Sequence, residues 1–388
     1  MSSDADSPDY ISLTLPYKVS GGKPILLDLY IPAHTTSTES DIDAKGSAGL
    51  PSVVYFHGGG LTVGNKTSWF PHWLQTRLNK AEVIFISADY RLIPPATGHD
   101  ILADVVDLFE FLSTRANDLL HQHLPDTTTR LDPDAMAVAG TSSGGLCAYL
   151  AAMHARPKPK AVLSMYGMGG DFLTPQYLAV KTEPFFRGRE MLDPASFGQY
   201  TYPKMQSGRK SGSPRSGDEE AMISDSPLAY HPATSPTPGY PASPRMQLTR
   251  LYLQLGVFLD YYTGCHEPSL SAQLREALTS SSDDDAHLEA HMRSLIPDEH
   301  LCLFPQFDSL NEWPPALLVH GTSDTADKIR ESEHLHALLQ GAGVDVILKQ
   351  VEGEEHSFDY QADAEERFGR IMFDDVAEFL VKRLQLGA

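Results

Sequence analysis

The run Val138-Ala139-Gly140-Thr141-Ser142-Ser143-Gly144-Gly145 decides how this chain is read. Ala137 to Ala139 closes a strand-like run, and Leu146-Cys147-Ala148-Tyr149-Leu150-Ala151-Ala152 opens a strong helix. Strand, tight turn and helix around Gly-x-Ser-x-Gly is the context in which a serine is lifted to the apex of a strained turn. Gly140 and Gly144 leave room where the strand and helix backbones pass. Ser142 is therefore the candidate nucleophile, facing a helix N-terminus with its free N–H groups and positive dipole end.

On either side of it, short apolar runs alternate with helical patterns. Ser52 to Phe56, Val83 to Ala88, Ala135 to Ala139, Ala161 to Met165, Ala316 to Val319 and Val344 to Val351 read as strands. Leu102 to Leu112, Leu146 to His154, Ile329 to Leu339 and Phe368 to Leu384 read as helices. This alternation predicts an α/β fold with a mostly parallel, doubly wound sheet covered by helices on both faces. Tyr10 to Val19 and Pro24 to Ile31, joined at Gly21-Gly22, predict an antiparallel pair at one edge. Residues 33 to 50 read as a surface loop.

The pattern breaks between strands 6 and 7. We expect a core of residues 1–170 and 306–388 and an inserted cap of 171–305. Leu248 to Tyr262 and Leu270 to Leu278 are helix-compatible, and a Pro/Ser/Gly-rich tract at about 203–245 is expected to be flexible. Phe185, Phe186, Phe258, Tyr261 and Tyr262 suit either an acyl pocket or the cap's own core.

A serine hydroxyl needs a base, and the base needs a group to orient it. Val319-His320-Gly321-Thr322-Ser323-Asp324 is a strand running into an acid, and Val351-Glu352-Gly353-Glu354-Glu355-His356 is the next strand running into a histidine. Ser142, Asp324 and His356 thus follow the order serine, acid, histidine at the carboxyl ends of parallel strands. Asp327 is the alternative acid, and Glu354 or Glu355 could orient the imidazole instead. His57-Gly58-Gly59-Gly60, directly after a strand, suits an oxyanion hole built from the N–H groups of Gly58, Gly59 and Ser143. Gly60 is expected to shape the loop.

The set His57-Gly58-Gly59-Gly60, Asp89-Tyr90-Arg91-Leu92, Gly140-Thr141-Ser142-Ser143-Gly144-Gly145, Asp324 and His356 resembles the hormone-sensitive-lipase-like branch of α/β-hydrolase-fold esterases. The resemblance implies an eight-stranded core, a cap, no cofactor, carboxylester hydrolysis through an acyl-enzyme, and a scaffold role for Tyr90 and Arg91. Thr141 and Ser143 replace the residues that usually flank this nucleophile. The cap's bulk lies between strands 6 and 7 rather than at the N-terminus.

Bulk composition adds limits. A net charge of −21 over 388 residues disfavours nucleic acid or an anionic membrane as partner, and points to neutral acyl esters or lactones as substrates. No apolar run approaches a membrane span, Met1 to Tyr10 carries no signal-peptide pattern, and three scattered cysteines suit a reducing, cytoplasmic setting. A homodimer is compatible with the sequence. The same scaffold could instead serve a dedicated biosynthetic substrate, by acyl transfer, thioester, amide or lactone cleavage or cyclisation, or could bind a ligand without catalysis. His287 and His291 lack a third ligand at metal spacing, Asp283-Asp284-Asp285 reads as a solvated turn, and Cys147 reads as packing.

Overall fold

The computed structural model describes residues 9–33, 49–125, 127–204, 223–280 and 285–385. The first residues of the chain, the interior of the 33–50 loop, much of the 203–245 tract and most of Asp283-Asp284-Asp285 lie outside them.

Eight strands form one sheet: β1 (Tyr10–Ser20), β2 (Lys23–Pro32), β3 (Leu50–Phe56), β4 (Ile84–Ala88), β5 (Leu131–Thr141), β6 (Val162–Met165), β7 (Ala316–Gly321) and β8 (Val346–Val351). Their order is β1-β2-β4-β3-β5-β6-β7-β8. β1 and β2 pair antiparallel, β2 meets β4 antiparallel, and every later pairing is parallel. The predicted edge hairpin and parallel sheet are both present.

Among the described residues, twelve α-helices accompany the sheet: α1 (His72–Lys80), α2 (Gly98–Thr114), α3 (Ala116–His123), α4 (Ser143–His154), α5 (Pro175–Leu178), α6 (Leu248–Leu255), α7 (Phe258–Thr263), α8 (Leu270–Ser280), α9 (Asp285–Leu295), α10 (Ile329–Gly341), α11 (Ala364–Phe368) and α12 (Asp374–Gln385). Alternate residues of the central strands feed opposite cores. Val54, Phe56, Ile84, Ile86 and Val138 point to the face covered by α2 and α4. Val53, Tyr55, Phe85, Ala137 and Ala139 point to the face covered by α1 and α12. Burial on both faces explains why these strands read as continuous apolar runs rather than alternating ones.

Three boundaries differ from expectation for local reasons. α1 has no counterpart in the sequence reading, because His72–Lys80 offers only a narrow apolar stripe in which Leu74 and Leu78 are buried. The run Leu248 to Tyr262 is two helices, because α6 ends on Gly256 at φ 61°, the left-handed cap that glycine favours. The C-terminal helical pattern is interrupted by a π-turn at Gly369–Phe373 between α11 and α12.

Helices α5 to α9 lie between β6 and β7 and pack onto the α2/α4 side. Phe172, Tyr177, Phe258, Tyr262 and Phe304 form one aromatic cluster, with ring centroids from 4.9 to 6.3 Å apart. Residues 223–245 are tied to the core: Leu92 N–H donates to Ile223 O at 2.7 Å, and Gly64 and Ser226 exchange backbone bonds of 2.8 and 3.0 Å. No helix of the described residues is long and apolar enough to cross a membrane.

Candidate active site

Ser142 stands between β5 and α4 with φ 54° and ψ −124°, a conformation that costs a non-glycine residue about 1–3 kcal/mol. The turn is held from several sides. Ser142 N–H donates to Met165 O at 3.0 Å, and Ser142 O accepts from Gly145 N–H at 2.8 Å and Met168 N–H at 3.1 Å. A side chain at Gly144 would stand 2.0 Å from Phe56 O, so only glycine lets α4 pass this close to β3. Behind the serine, α4 is buried from Ser143 to Met153. Cys147 is one of these buried residues, its thiol pushed upward by burial, so it serves packing as expected.

The loop after β3 lies against this turn. A Cβ on Gly58 would be 3.3 Å from Ser142 Cβ, and Gly59 adopts φ +112° with Val63 O where a side chain would sit. Tyr90 hydroxyl donates to His57 O at 2.8 Å, and the His57 ring stacks on Tyr90 at 4.5 Å. Arg91 is anchored below by Asp104 and Asp100, the latter at 2.6 Å. Among the described residues, none of the N–H groups of Gly58, Gly59 and Ser143 has a protein acceptor. Ser143's side chain is fully buried.

Asp324 and His356 come together after β7 and β8. His356 Nδ1 is 2.7 Å from Asp324 Oδ2, while Asp324 Oδ1 accepts the N–H groups of Ala326 at 2.8 Å and Asp327 at 3.0 Å. Behind Asp324 lies fully buried His320, with Nε2 at 3.3 Å from Oδ2 and Nδ1 at 2.7 Å from Ser332 Oγ. Burial alone would push the Asp324 carboxyl up, but the His356 charge and the hydrogen bonds from both histidines hold it below its usual range. Burial acts downward on His356, yet Asp324 and Asp327 outweigh it and raise the imidazole above its usual value. Glu355 turns instead to Thr325 and Glu354 to Arg367, so neither orients the imidazole.

Asp327 stands on the other side of the site. Its Oδ2 accepts the Ser142 hydroxyl at 3.1 Å and lies 3.9 Å from His356 Nε2. Burial pushes this carboxyl up to about 6, against the pull of His356. Ser142 and His356 therefore both face one carboxylate oxygen of Asp327.

These groups open on a cavity of about 180 Å³. Gly58, Gly59, Ser142, Tyr166, Asp327 and His356 line its floor, and Phe186, Tyr230, Met246, Arg187, Arg189 and Arg250 come from the insertion. Of the five aromatics singled out by sequence, Phe186 reaches the cavity, while Phe258, Tyr261 and Tyr262 are buried on α7, Tyr261 stacked on Tyr252 at 3.8 Å. Sequence reasoning missed Trp69, Tyr166, Tyr360 and the arginines. Trp69, Ser142, Tyr166 and Ser357 all carry positive φ without being glycine, and all line the cavity. Such strain gathers at functional sites. No three His, Cys, Asp or Glu side chains among the described residues are placed to hold a metal ion.

A family model described as the α/β-hydrolase fold matches residues 53–219. The chain is 25% identical over 360 residues to the non-reducing polyketide synthase ausA of Aspergillus calidoustus, covering 90% of this chain and 13% of that protein. It is 31% identical over 121 residues to the probable carboxylesterase M8 of Phoma sp., covering 30% of this chain and 37% of that one. The chain thus spans well under two thirds of either relative. Among solved structures, carboxyl esterase 2 of Tuber melanosporum superposes with a TM-score of 0.53 at 15% identity, over 98% of this chain and 88% of that one. The sheet order, the elbow after β5 and these matches agree on the α/β-hydrolase fold, and the chain is similar to carboxylesterases in part of its sequence.

Proposed function

We propose that this protein is a serine hydrolase that cleaves carboxylic esters through an acyl-enzyme, with Ser142 as nucleophile, His356 as base and Asp324 as its orienting acid. The observation that carries this reading is the convergence of a strained serine, an imidazole held by a carboxylate at 2.7 Å and three N–H groups with no protein acceptor among the described residues.

Each part has a task. The Asp324 bond fixes the proton on His356 Nδ1, which leaves Nε2 free to accept the Ser142 proton. Ser142 Oγ then attacks the ester carbonyl carbon. The carbonyl oxygen becomes an oxyanion held by the N–H groups of Gly58, Gly59 and Ser143, each worth about 3 kcal/mol in comparable sites. The imidazolium returns its proton to the leaving alcohol, and water, deprotonated by the same Nε2, releases the acid. The resting Ser142 hydroxyl leans on Asp327, and catalytic contacts of this kind tighten only when substrate is bound. No cofactor is required.

A first test uses p-nitrophenyl esters of increasing chain length. A cavity of about 180 Å³ is small, so acetyl and butyryl esters are expected to exceed the lauryl ester by at least about 10-fold in kcat/KM. Labelling of Ser142 by a fluorophosphonate, read by mass spectrometry, checks the nucleophile. A folded protein that neither turns over esters nor takes the label would sink the proposal.

The pH profile tests the electrostatics. The base works only when neutral, so activity should fall as pH drops through the raised value of His356. Asp327, when ionised, favours the imidazolium. Asp327→Asn is therefore expected to lower the His356 value and move the acid limb of kcat/KM to lower pH. A limb that stays in place or moves up would exclude this coupling.

A second reading rests on the polyketide synthase match, which extends over 90% of this chain. The same residues would then act on an acyl thioester from biosynthesis. Fluorophosphonate labelling together with turnover of acyl thioesters, but not of simple esters, would favour it.

A further inference from the structure

The cavity over Ser142 has two electrically different walls. The wall from β5, β7 and their loops carries Asp327, and the wall from the insertion carries Arg187, Arg189 and Arg250. Arg187 is partly engaged, 3.4 Å from Glu355. Arg189 is exposed at the mouth. Arg250, on α6, is only 6% exposed, yet among the described residues it has no ion pair. Its Nη2 donates to Gln247 Oε1 at 3.1 Å, and it meets the hydroxyl of Tyr240, whose proton goes to Glu190 at 2.7 Å. Glu190 is thus reached through one hydroxyl.

A buried guanidinium with so few acceptors is costly, because a charge taken out of water needs a partner. Arg245 makes the contrast. It is equally buried, but it donates to Thr62 O at 2.8 Å and Ile93 O at 3.0 Å and does not line the cavity. Arg245 is a structural strut, whereas Arg250 lines the cavity. Burial and the neighbouring Arg189 charge both push the Arg250 guanidinium below its usual value, and the charge of a bound anion would oppose that shift.

We infer that the substrate of this site carries a carboxylate remote from its scissile carbonyl, seated on the fork of Arg250 with Arg189 beside it. The planar fork matches a carboxylate with two parallel hydrogen bonds. Asp327 fixes the orientation, since it repels an anion near Ser142 and leaves the insertion wall as the place for it. The overall charge of −21 does not oppose this, because fields beyond about 10 Å are largely screened while a buried contact is not.

The inference borrows from the proposed function only the idea that the ligand is an acyl compound, so its test has a turnover arm and a binding arm. The turnover arm compares the mono-p-nitrophenyl ester of glutarate with its methyl-capped neutral analogue. Wild type is expected to favour the free acid by at least about 10-fold in kcat/KM, a charge-assisted contact being worth that much. Arg250→Met should lower the free-acid ester by about 30-fold and the capped ester by less than about 3-fold. Arg189→Ala, exposed and harmless to folding, should lower the free acid alone by about 3-fold. The binding arm uses Ser142→Ala protein with glutaric monoanilide and pentananilide, neither of which needs turnover. Tighter binding of the acid, lost in the Ser142→Ala/Arg250→Met protein, supports the inference even if no ester is cleaved, in which case only the hydrolase reading falls. Equal binding of both anilides, or equal losses on both esters, overturns it.

Discussion

Ser142→Ala is expected to lower kcat on p-nitrophenyl butyrate by about 10⁶-fold while leaving the fold intact, the size of loss seen when a triad serine is removed elsewhere. Without Oγ there is no covalent intermediate, and what remains is the help that the oxyanion donors and the binding pocket give to attack by water. Alanine carries the same Cβ as serine, so it meets the same backbone strain at φ 54° and neither relieves nor worsens it. The lost hydroxyl also removes a hydrogen bond to Asp327, leaving that carboxylate in contact with the cavity rather than sealed in apolar surroundings. The melting temperature should therefore stay within a few degrees of wild type, a change of about 1 kcal/mol being worth only about 1 °C in a chain of this size. A variant that melts normally and keeps more than about one part in a thousand of the turnover would show that another nucleophile carries the reaction.

The elbow could be read from sequence because its requirements are local. Gly144 must be glycine to clear Phe56 O, and the strand before it is apolar because both of its faces are buried. The same holds for β3, β4 and β7. Helix α1 escaped notice because its contribution to the core is two leucines, a signal too thin for periodicity to carry. The insertion was visible as an interruption, but not which of its residues face the site. Phe186 and Phe258 look alike in sequence, yet one lines the cavity and the other is buried in the core, and only long-range packing separates them. Arg250 is less legible still. It sits in an amphipathic helix where a charged residue ordinarily marks the solvent face, and here that residue is buried against the cavity. The net charge points to neutral substrates, but a sum over the whole chain carries no information about one cavity wall.

The two aspartates after β7 present the sharper question, and their substitution should separate them. Asp324→Asn is expected to reduce kcat by about 10⁴-fold, because an amide in this place can donate a hydrogen to His356 Nδ1 and so favours the tautomer whose Nε2 already carries a proton. The loss should be in kcat rather than KM, since Asp324 does not line the cavity. Two further features make Asp324 hard to replace. Its Oδ1 holds the N–H groups of Ala326 and Asp327, and His320 is braced behind it by Ser332. An amide keeps the acceptor for the first of these, so the loop should stand and the loss should report on tautomer. Asp327→Asn is expected to cost less than about 10-fold, because an asparagine oxygen still accepts the Ser142 hydroxyl and the imidazole keeps its orienting acid. Both carboxylates touch the reacting groups, so proximity alone cannot rank them. What ranks them is the atom each one meets: Asp324 meets Nδ1, the proton-bearing nitrogen of a base, whereas Asp327 meets the hydroxyl that the base must deprotonate. If Asp327→Asn proved the more damaging change, the serine would be activated by the carboxylate on which it rests, and His356 would be the supporting residue.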